Sequence, residues 1–415
     1  MELMILGASS LQLAAYNKCK SKGIKTIACD YYEDAIGKTV ADKSFLASTF
    51  DFEACYQVAL ANKVDGVLTL GTDQPVYTVT AIQEKLALQS FFSLETALKV
   101  TNKKKMKETF VENNIPCNKS KIINRNDNLT NLDLKFPLVI KPIDSQGQRG
   151  IYKVHSIEEI KEKIDLSLSF SKSDDLLLEE YYPSDEICMS GYVVNNKLYL
   201  LSITDRLTFE IEEHIGISYG HRFPSKYSNY YQEIEKLSQK IVSDFKILNG
   251  PVYFQMLIGD EGLKVNEIAC RIGGAYEAYL IPELCGVDIL EYTINHSLRL
   301  ENDYQKLFEY NFYTNTKHAM VALFFCEPGK VTKIDCGALD NLTYKYGLNI
   351  DEGQILREIK DARNRAGYFI TIADSAIQLK NSIDKIFSNI KILANDKNLI
   401  ISNDDWEKGK SNEKS

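Results

Sequence analysis

The sequence predicts an α/β N-terminal domain, then larger α+β lobes, then a small C-terminal α+β unit. Three observations carry this. Strand and helix signals alternate over residues 1–100, the middle of the chain reads as two hairpins, and strand and helix signals resume after His318. At 415 residues the chain has room for two to four domains of roughly 100–200 residues each. The boundaries expected are 1–100, 101–182, 183–317 and 318–400, with 401–415 as a polar, frayed tail.

The first strand is Leu3–Leu6, followed by the small-residue turn Gly7–Ser10 and a helix. A strand at Thr26–Asp30, a helical stretch, the apolar run Val64–Leu70 and another helix complete a doubly wound pattern. Such a sheet takes ligands at the carboxyl ends of its strands. The turn GASS lacks the G-x-G-x-x-G that brings backbone against a dinucleotide pyrophosphate, so this domain reads as one wall of a substrate site.

At Thr101 the texture changes to a lysine-rich helix, TNKKKMKETFVENN, closed by Ile115 and Pro116. The strand Phe136–Pro142 then leads into the loop DSQGQRG and the short strand Ile151–Val154. The run LLLEEYY precedes a hairpin joined through Asn195 and Asn196, residues that tolerate the left-handed turn a tight hairpin requires. A helix near Tyr231–Phe245 and a second hairpin over Val252–Ala269 follow. The C-terminal unit carries the segment ARNRAGYFITIADS and closes on an amphipathic helix.

Composition narrows the function. A formal charge of −8 argues against a sequence-independent nucleic-acid binder, which needs a basic face. No apolar stretch approaches the ~20 residues that span a bilayer. The nine cysteines are odd in number and scattered, with no C-x-x-C pair, so disulfide and zinc frameworks are not expected and a cytoplasmic location is the default. No nucleophile elbow or histidine metal spacing occurs.

Three features could carry chemistry. The first is the loop Asp144–Gly150, where Ser145, Gln146, Gly147 and Gly150 could turn amides toward an anion, with Lys141 on the strand before it. It also reads as an ordinary turn. The second is the hairpin VYFQMLIGDEGLKVNEIACR. If Asp260, Glu261 and Gly262 form a three-residue loop with a left-handed glycine, Gln255 lies opposite Glu267, on the face shared by Ala269 and Arg271. An amide carbonyl beside a carboxylate offers the hard oxygens Mg²⁺ prefers, and Arg271 a fork for phosphate oxygens. The alternative is an ordinary Glu267–Arg271 salt bridge on a solvated face. The third is LLLEEYYPSDE, a strand leaving the core at Glu179 with Glu186 after a turn, which could pair with a purine edge and a ribose or could be a plain surface turn.

The order of these parts resembles the ATP-grasp superfamily, particularly its carbamoyl-phosphate synthase and L-amino acid ligase branches, over nearly the whole chain. The resemblance implies ATP held between two α+β lobes under a glycine-loop lid, with residues 101–182 as linker helix and lid lobe and 183–317 as the large lobe with the metal site. It implies phosphate contacts from Lys103 and Lys141, an adenine-binding hinge at Glu179, Glu180 and Tyr181, and Glu186 on the ribose. It implies Gln255 and Glu267 as ligands of one or two Mg²⁺ ions, and Arg271 steadying the transferring phosphoryl group. The position that usually supplies a further Asn ligand is Ala269.

The expected activity is ADP-forming ligation of a small carboxylate, for example an amino acid, to an amine through an acyl phosphate. Arg206, His221, Arg271, Gly273 and Gly274 are the expected substrate residues, small molecules the expected partners, and a homodimer an open alternative. Other readings are a carbamoyl-phosphate-synthase-like or carboxylase-type enzyme, a nucleotide-binding regulator without turnover and, behind these, an oxidoreductase.

Overall fold

The computed structural model describes residues 1–401 except 146, 212 and 213, so Gln146 and nearly all of the expected tail lie outside the described residues. Contacts divide the chain into two compact units that interleave along the sequence. The first comprises Met1–Ser120, Tyr182–Ile203 and Tyr227–Asn315; the second comprises Lys121–Tyr181, Thr204–Lys226 and the chain from Thr316 onward. The contiguous domains drawn from the sequence follow chain order, whereas the chain passes from one unit to the other several times.

In the first unit, strands Glu2–Leu6, Lys25–Asp30, Lys43–Leu46 and Gly66–Leu68 form a parallel sheet. Helices Leu13–Ser21, Phe52–Asn62 and Pro75–Lys85 alternate with these strands, as the sequence pattern required. The sheet is apolar on both faces because both are covered. Met4, Leu6 and Ile27 pack with Cys55, Ala59 and Ile82. Leu3, Ile5, Ala28 and Leu68 share a core with Ile281, Val287, Ile289 and Ile294. Residues 1–100 are therefore not a free-standing domain, because one face of their sheet is completed by helices nearly 300 residues away.

The rest of the first unit is antiparallel. Strand Gly250–Gly259 pairs with Ser184–Val194 on one side and Gly262–Ala269 on the other. Ser184–Val194 turns through Asn195 and Asn196, at φ 52° and 63°, into the long strand Lys197–Ile211. The lysine-rich segment is helix Lys103–Glu112, started by Asn102, whose side chain accepts the Lys105 backbone N–H. Such a cap contributes about 1 kcal/mol.

The second unit holds two larger sheets, beside short sheets of two and three strands. Strands Ser120–Asn124, Asp175–Glu180, Leu138–Pro142 and Tyr152–Val154 pack under helix Ile157–Leu168 through Ile140, Leu178, Ile160 and Ile164. In the other sheet the second half of Lys197–Ile211 pairs with His214–Phe223, followed by His318–Phe324, Gly367–Ala373 and Lys345–Leu348. The closing helix Ala376–Asn389 seals this sheet with Leu379 and Ile386. Among the described residues, no helix is long and apolar enough to cross a membrane.

Candidate active site

In the first unit the hairpin does set Gln255 opposite Glu267, by a route the sequence did not suggest. Gly262 takes the expected left-handed φ, 87°, yet it already pairs with Gly259, so Asp260 and Glu261 alone lie between the paired residues. The register is then one residue off until a bulge opposite Gln255–Met256, at Asn266, restores it.

Glu267 and Arg271 do not pair with each other. Glu267 Oε1 lies 3.0 Å from Lys103 Nζ, and the Lys103 side chain is only 10% exposed. A lysine in the first turn of a helix opposes the helix dipole, and the carboxylate offsets that cost. Arg271 is buried; its Nη2 lies 2.5 Å from Asp73 Oδ1 and its guanidinium sits 4.8 Å from the Tyr253 ring centre. The solvated Glu267–Arg271 bridge is thereby replaced by two separate pairs. Asp73 was not anticipated; the available signal was an acid at the carboxyl end of the run Val64–Leu70, in GTD.

The Asp73 loop is clamped to the Arg271 segment. Gly71 N–H donates to Ile272 O at 2.9 Å, and a Cβ on Gly274 would stand 2.7 Å from Gly71 O, so a side chain there would drive the two backbones apart. Gly273 backs onto the buried Glu277, whose Oε2 accepts the Ala275 N–H at 3.0 Å. Burial raises the carboxyl pKa of both Asp73 and Glu277, against the pull of Arg271.

In the second unit, Lys141 and Glu179 pair across adjacent strands at 2.5 Å, with side chains 10% and 4% exposed. Glu179 therefore points inward, and Glu180 Oε1 accepts the Lys135 N–H. Lys153 lies 3.9 Å from the centre of the Tyr181 ring, and Tyr181 N–H donates to Pro137 O. In the glycine loop, buried Ser145 donates to Arg149 O at 3.1 Å. Gly147 and Gly150 both have positive φ, 70° and 73°. A Cβ at Gly150 would also press on Pro142 and Phe170 at 3.0 Å, whereas one at Gly147 would meet open space.

The expected substrate residues divide between the units. Arg271, Gly273 and Gly274 lie in the first, with Glu186 of the expected ribose site; Arg206 and His221 lie in the second. Arg206 and His221 are cross-strand partners, and Arg206 Nη2 donates to Gly216 O at 2.8 Å. Burial, with Arg206 and Arg365 nearby, pushes the His221 pKa well below its usual value, so the ring is neutral at pH 7.

Gln255 and Glu267 put a carbonyl and a carboxylate oxygen on one face, a donor set that fits Mg²⁺ with water completing its shell, while Ala269 adds no donor. Residues 134–278 match the ATP-grasp domain family. Over that stretch the chain is similar to ATP-grasp domains.

A carbamoyl-phosphate synthase of Methanobrevibacter smithii is 27% identical over 189 residues, 44% of this chain and 50% of that protein. Dapdiamide A synthase of Enterobacter agglomerans is 21% identical over 272 residues, 60% of this chain and 61% of that protein. The chain thus spans about half to three-fifths of the length of these curated relatives. The crystal structure of L-amino acid ligase from Bacillus licheniformis superposes with a TM-score of 0.80 at 18% identity, covering 94% of this chain and 98% of that one. The likeness of fold to that structure therefore extends beyond the matched residues.

Proposed function

We infer that the chain is an ADP-forming ligase that joins a small carboxylate, such as an amino acid, to an amine through an acyl phosphate. The observation that carries this reading is the face of the first unit where Gln255, Glu267 and Lys103 adjoin the buried Arg271–Asp73 pair, in a chain similar to ATP-grasp domains over residues 134–278. Relatives named dapdiamide A synthase and L-amino acid ligase favour an amino-acid substrate.

In the first step a carboxylate oxygen of the substrate attacks the γ-phosphorus of ATP. The bond to the β-phosphate oxygen breaks, ADP leaves, and an acyl phosphate remains. In the second step the amine attacks the acyl carbon and inorganic phosphate departs. No covalent bond to the protein forms, so positioning and charge neutralisation supply the acceleration. Lys103 and Lys141 neutralise phosphate oxygens, each leaving the carboxylate it holds in the unliganded chain. The planar Arg271 fork, fixed by Asp73 and Tyr253, holds the phosphoryl oxygens as charge redistributes. Gln255 and Glu267 would hold Mg²⁺, which would supply Lewis-acid neutralisation of the phosphates. Glu180 and Tyr181 at the hinge, Glu186, and the amides of the glycine loop bind the nucleotide. Arg206 and His221 belong to the substrate side of this reading.

The test is incubation with ATP, Mg²⁺ and pooled L-amino acids, resolving nucleotide products by chromatography with and without hydroxylamine. ADP and a hydroxamate are expected; AMP and pyrophosphate would replace this mechanism with adenylation. The carbamoyl-phosphate synthase relative supports a second reading in which bicarbonate is the carboxylate. Under it, ADP release would depend on bicarbonate and not on an amino acid.

A further inference from the structure

Arg271 is a buried cation with one short contact in its own plane. Its Nη2 meets Asp73 Oδ1 at 2.5 Å, while Nη1 donates to Ile272 O only at 3.4 Å. Among the described residues, its buried Nε has no hydrogen-bond partner on the protein. A single short contact fixes where the guanidinium lies and leaves its tilt about that contact to be set by something else. The tilt matters, because a planar fork offers two N–H groups to a pair of phosphoryl oxygens only when its plane contains them.

The Tyr253 ring supplies the missing restraint. Its centre stands 4.8 Å from the guanidinium carbon, a distance at which an aromatic face attracts a cation. The ring is in turn held at its far end, where the Tyr253 hydroxyl shares a hydrogen bond with Cys188 Sγ at 2.8 Å, and both side chains are buried. That contact follows from the register of the sheet. Cys188 stands opposite Gln255 and Ser190 opposite Tyr253, so Cys188 and Tyr253 are diagonal neighbours on the face that bears Gln255 and Glu267. These two strands pair without a shift from Gly250 opposite Val193 to Gly259 opposite Ser184, so no bulge loosens the diagonal. Thiol, phenol and guanidinium therefore follow one another along one face of the first unit.

We propose that Cys188 is a positioning residue: its thiol anchors the Tyr253 hydroxyl, and the anchored ring sets the plane of the Arg271 fork for phosphoryl transfer. This rests on the ligase reading above. The thiol makes no bond to substrate or nucleotide and neither gains nor loses a proton in the cycle. The role calls for a short hydrogen-bonding side chain at position 188 and not for sulfur chemistry. The plainer alternative is that the thiol only satisfies a buried tyrosine hydroxyl, which needs a partner wherever it lies.

Steady-state ADP release, with the carboxylate found in the pooled screen, separates the two. Cys188→Val keeps the volume and removes the hydrogen bond; Tyr253→Phe keeps the ring and removes the hydroxyl. Each should lower kcat by about tenfold with the KM for ATP within about twofold, and the double variant should lose no more than either single one. Cys188→Val also takes a partner from a buried hydroxyl, which lowers the thermal midpoint, whereas the double variant has no hydroxyl to satisfy and should regain it. Its kcat should stay low; a purely structural role would restore both. Cys188→Ser, which can still share the hydrogen bond, should recover kcat to within about threefold of the wild type. In an Arg271→Lys background there is no planar fork to orient, and adding Cys188→Val should change kcat by less than about twofold. Wild-type kcat in Cys188→Val, or a kcat that follows the thermal midpoint across the set, would overturn the proposal. A wild-type protein that releases no ADP with the pooled amino acids would instead overturn the ligase reading, and this proposal with it.

Discussion

Replacing Lys141 by Met tests whether the second unit tolerates its buried pair for the sake of stability or of binding. The partner, Glu179, is 4% exposed on its side chain and lies 2.5 Å from the lysine, so the variant takes this cation away from a buried carboxylate. Removing one member of such a pair typically costs about 3–5 kcal/mol. Glu179 can limit that cost by taking a proton. From an ordinary Glu pKa of about 4.3, protonation costs about 3.7 kcal/mol at pH 7 and about 1 kcal/mol at pH 5. The variant's folded carboxyl has a raised pKa, so its folded state holds more protons than its unfolded state and its stability falls as pH rises. The deficit should therefore be about 3–4 kcal/mol at pH 7 and shrink toward 1 at pH 5. Urea unfolding at both pH values, followed by hydrogen exchange of the Leu138–Pro142 amides, measures it. The double variant Lys141→Met, Glu179→Leu should regain most of the stability, since apolar replacement of a whole buried pair is often neutral. It should still fail to bind ATP. A single variant as stable as wild type at pH 7, or a deficit that ignores pH, would refute the assignment.

Two further outcomes follow. Glu267→Gln should lower ADP release by on the order of 100-fold while leaving the affinity of a fluorescent adenine nucleotide within a few fold, because the carboxylate serves the reacting phosphates and not the base; equal losses in both assays would count against the metal assignment. Because the His221 pKa is depressed in the folded state, the unfolded state binds the extra proton as pH falls below about 6.5, and stability drops by up to about 1.4 kcal/mol per pH unit. His221→Gln should flatten the pH dependence of the urea midpoint between pH 5 and 6.5, and an unchanged slope would show the ring to be protonated in the fold.

Local chemistry was legible in the sequence where a single residue type dictates it. The Asn195–Asn196 turn, the left-handed Gly147, Gly150 and Gly262, and the alternating elements of residues 1–100 all stand as their residues require. Partners distant in the chain were not legible. Lys103 with Glu267 and Arg271 with Asp73 are separated by well over a hundred residues, and in each case the sequence offered a nearer partner. The expected Gln255–Glu267 pairing emerged because a shorter loop and a bulge offset one another, and no pattern of period two reveals either. Glu179 was expected at a binding edge because the leucines before it suggested an exit from the core; its burial depends on Lys141, on the neighbouring strand.

The bulge at Asn266 has a mechanical meaning as well. Leu263, Val265 and Ile268 are all buried, though strict alternation would set the first two on the face of Glu267 and not of Ile268. The extra residue acts as a phase shifter: the tip of the hairpin keeps its own parity and the site-bearing half keeps another. Events at the tip, around Asp260 and Glu261, are thereby decoupled from the oxygens of Gln255 and Glu267. Shortening the hairpin by one residue can be absorbed by loss of the bulge, and lengthening it by a longer loop with the bulge kept, so the hairpin end is a place that can change length, or accept a grafted peptide, without moving the face on which the chemistry is proposed.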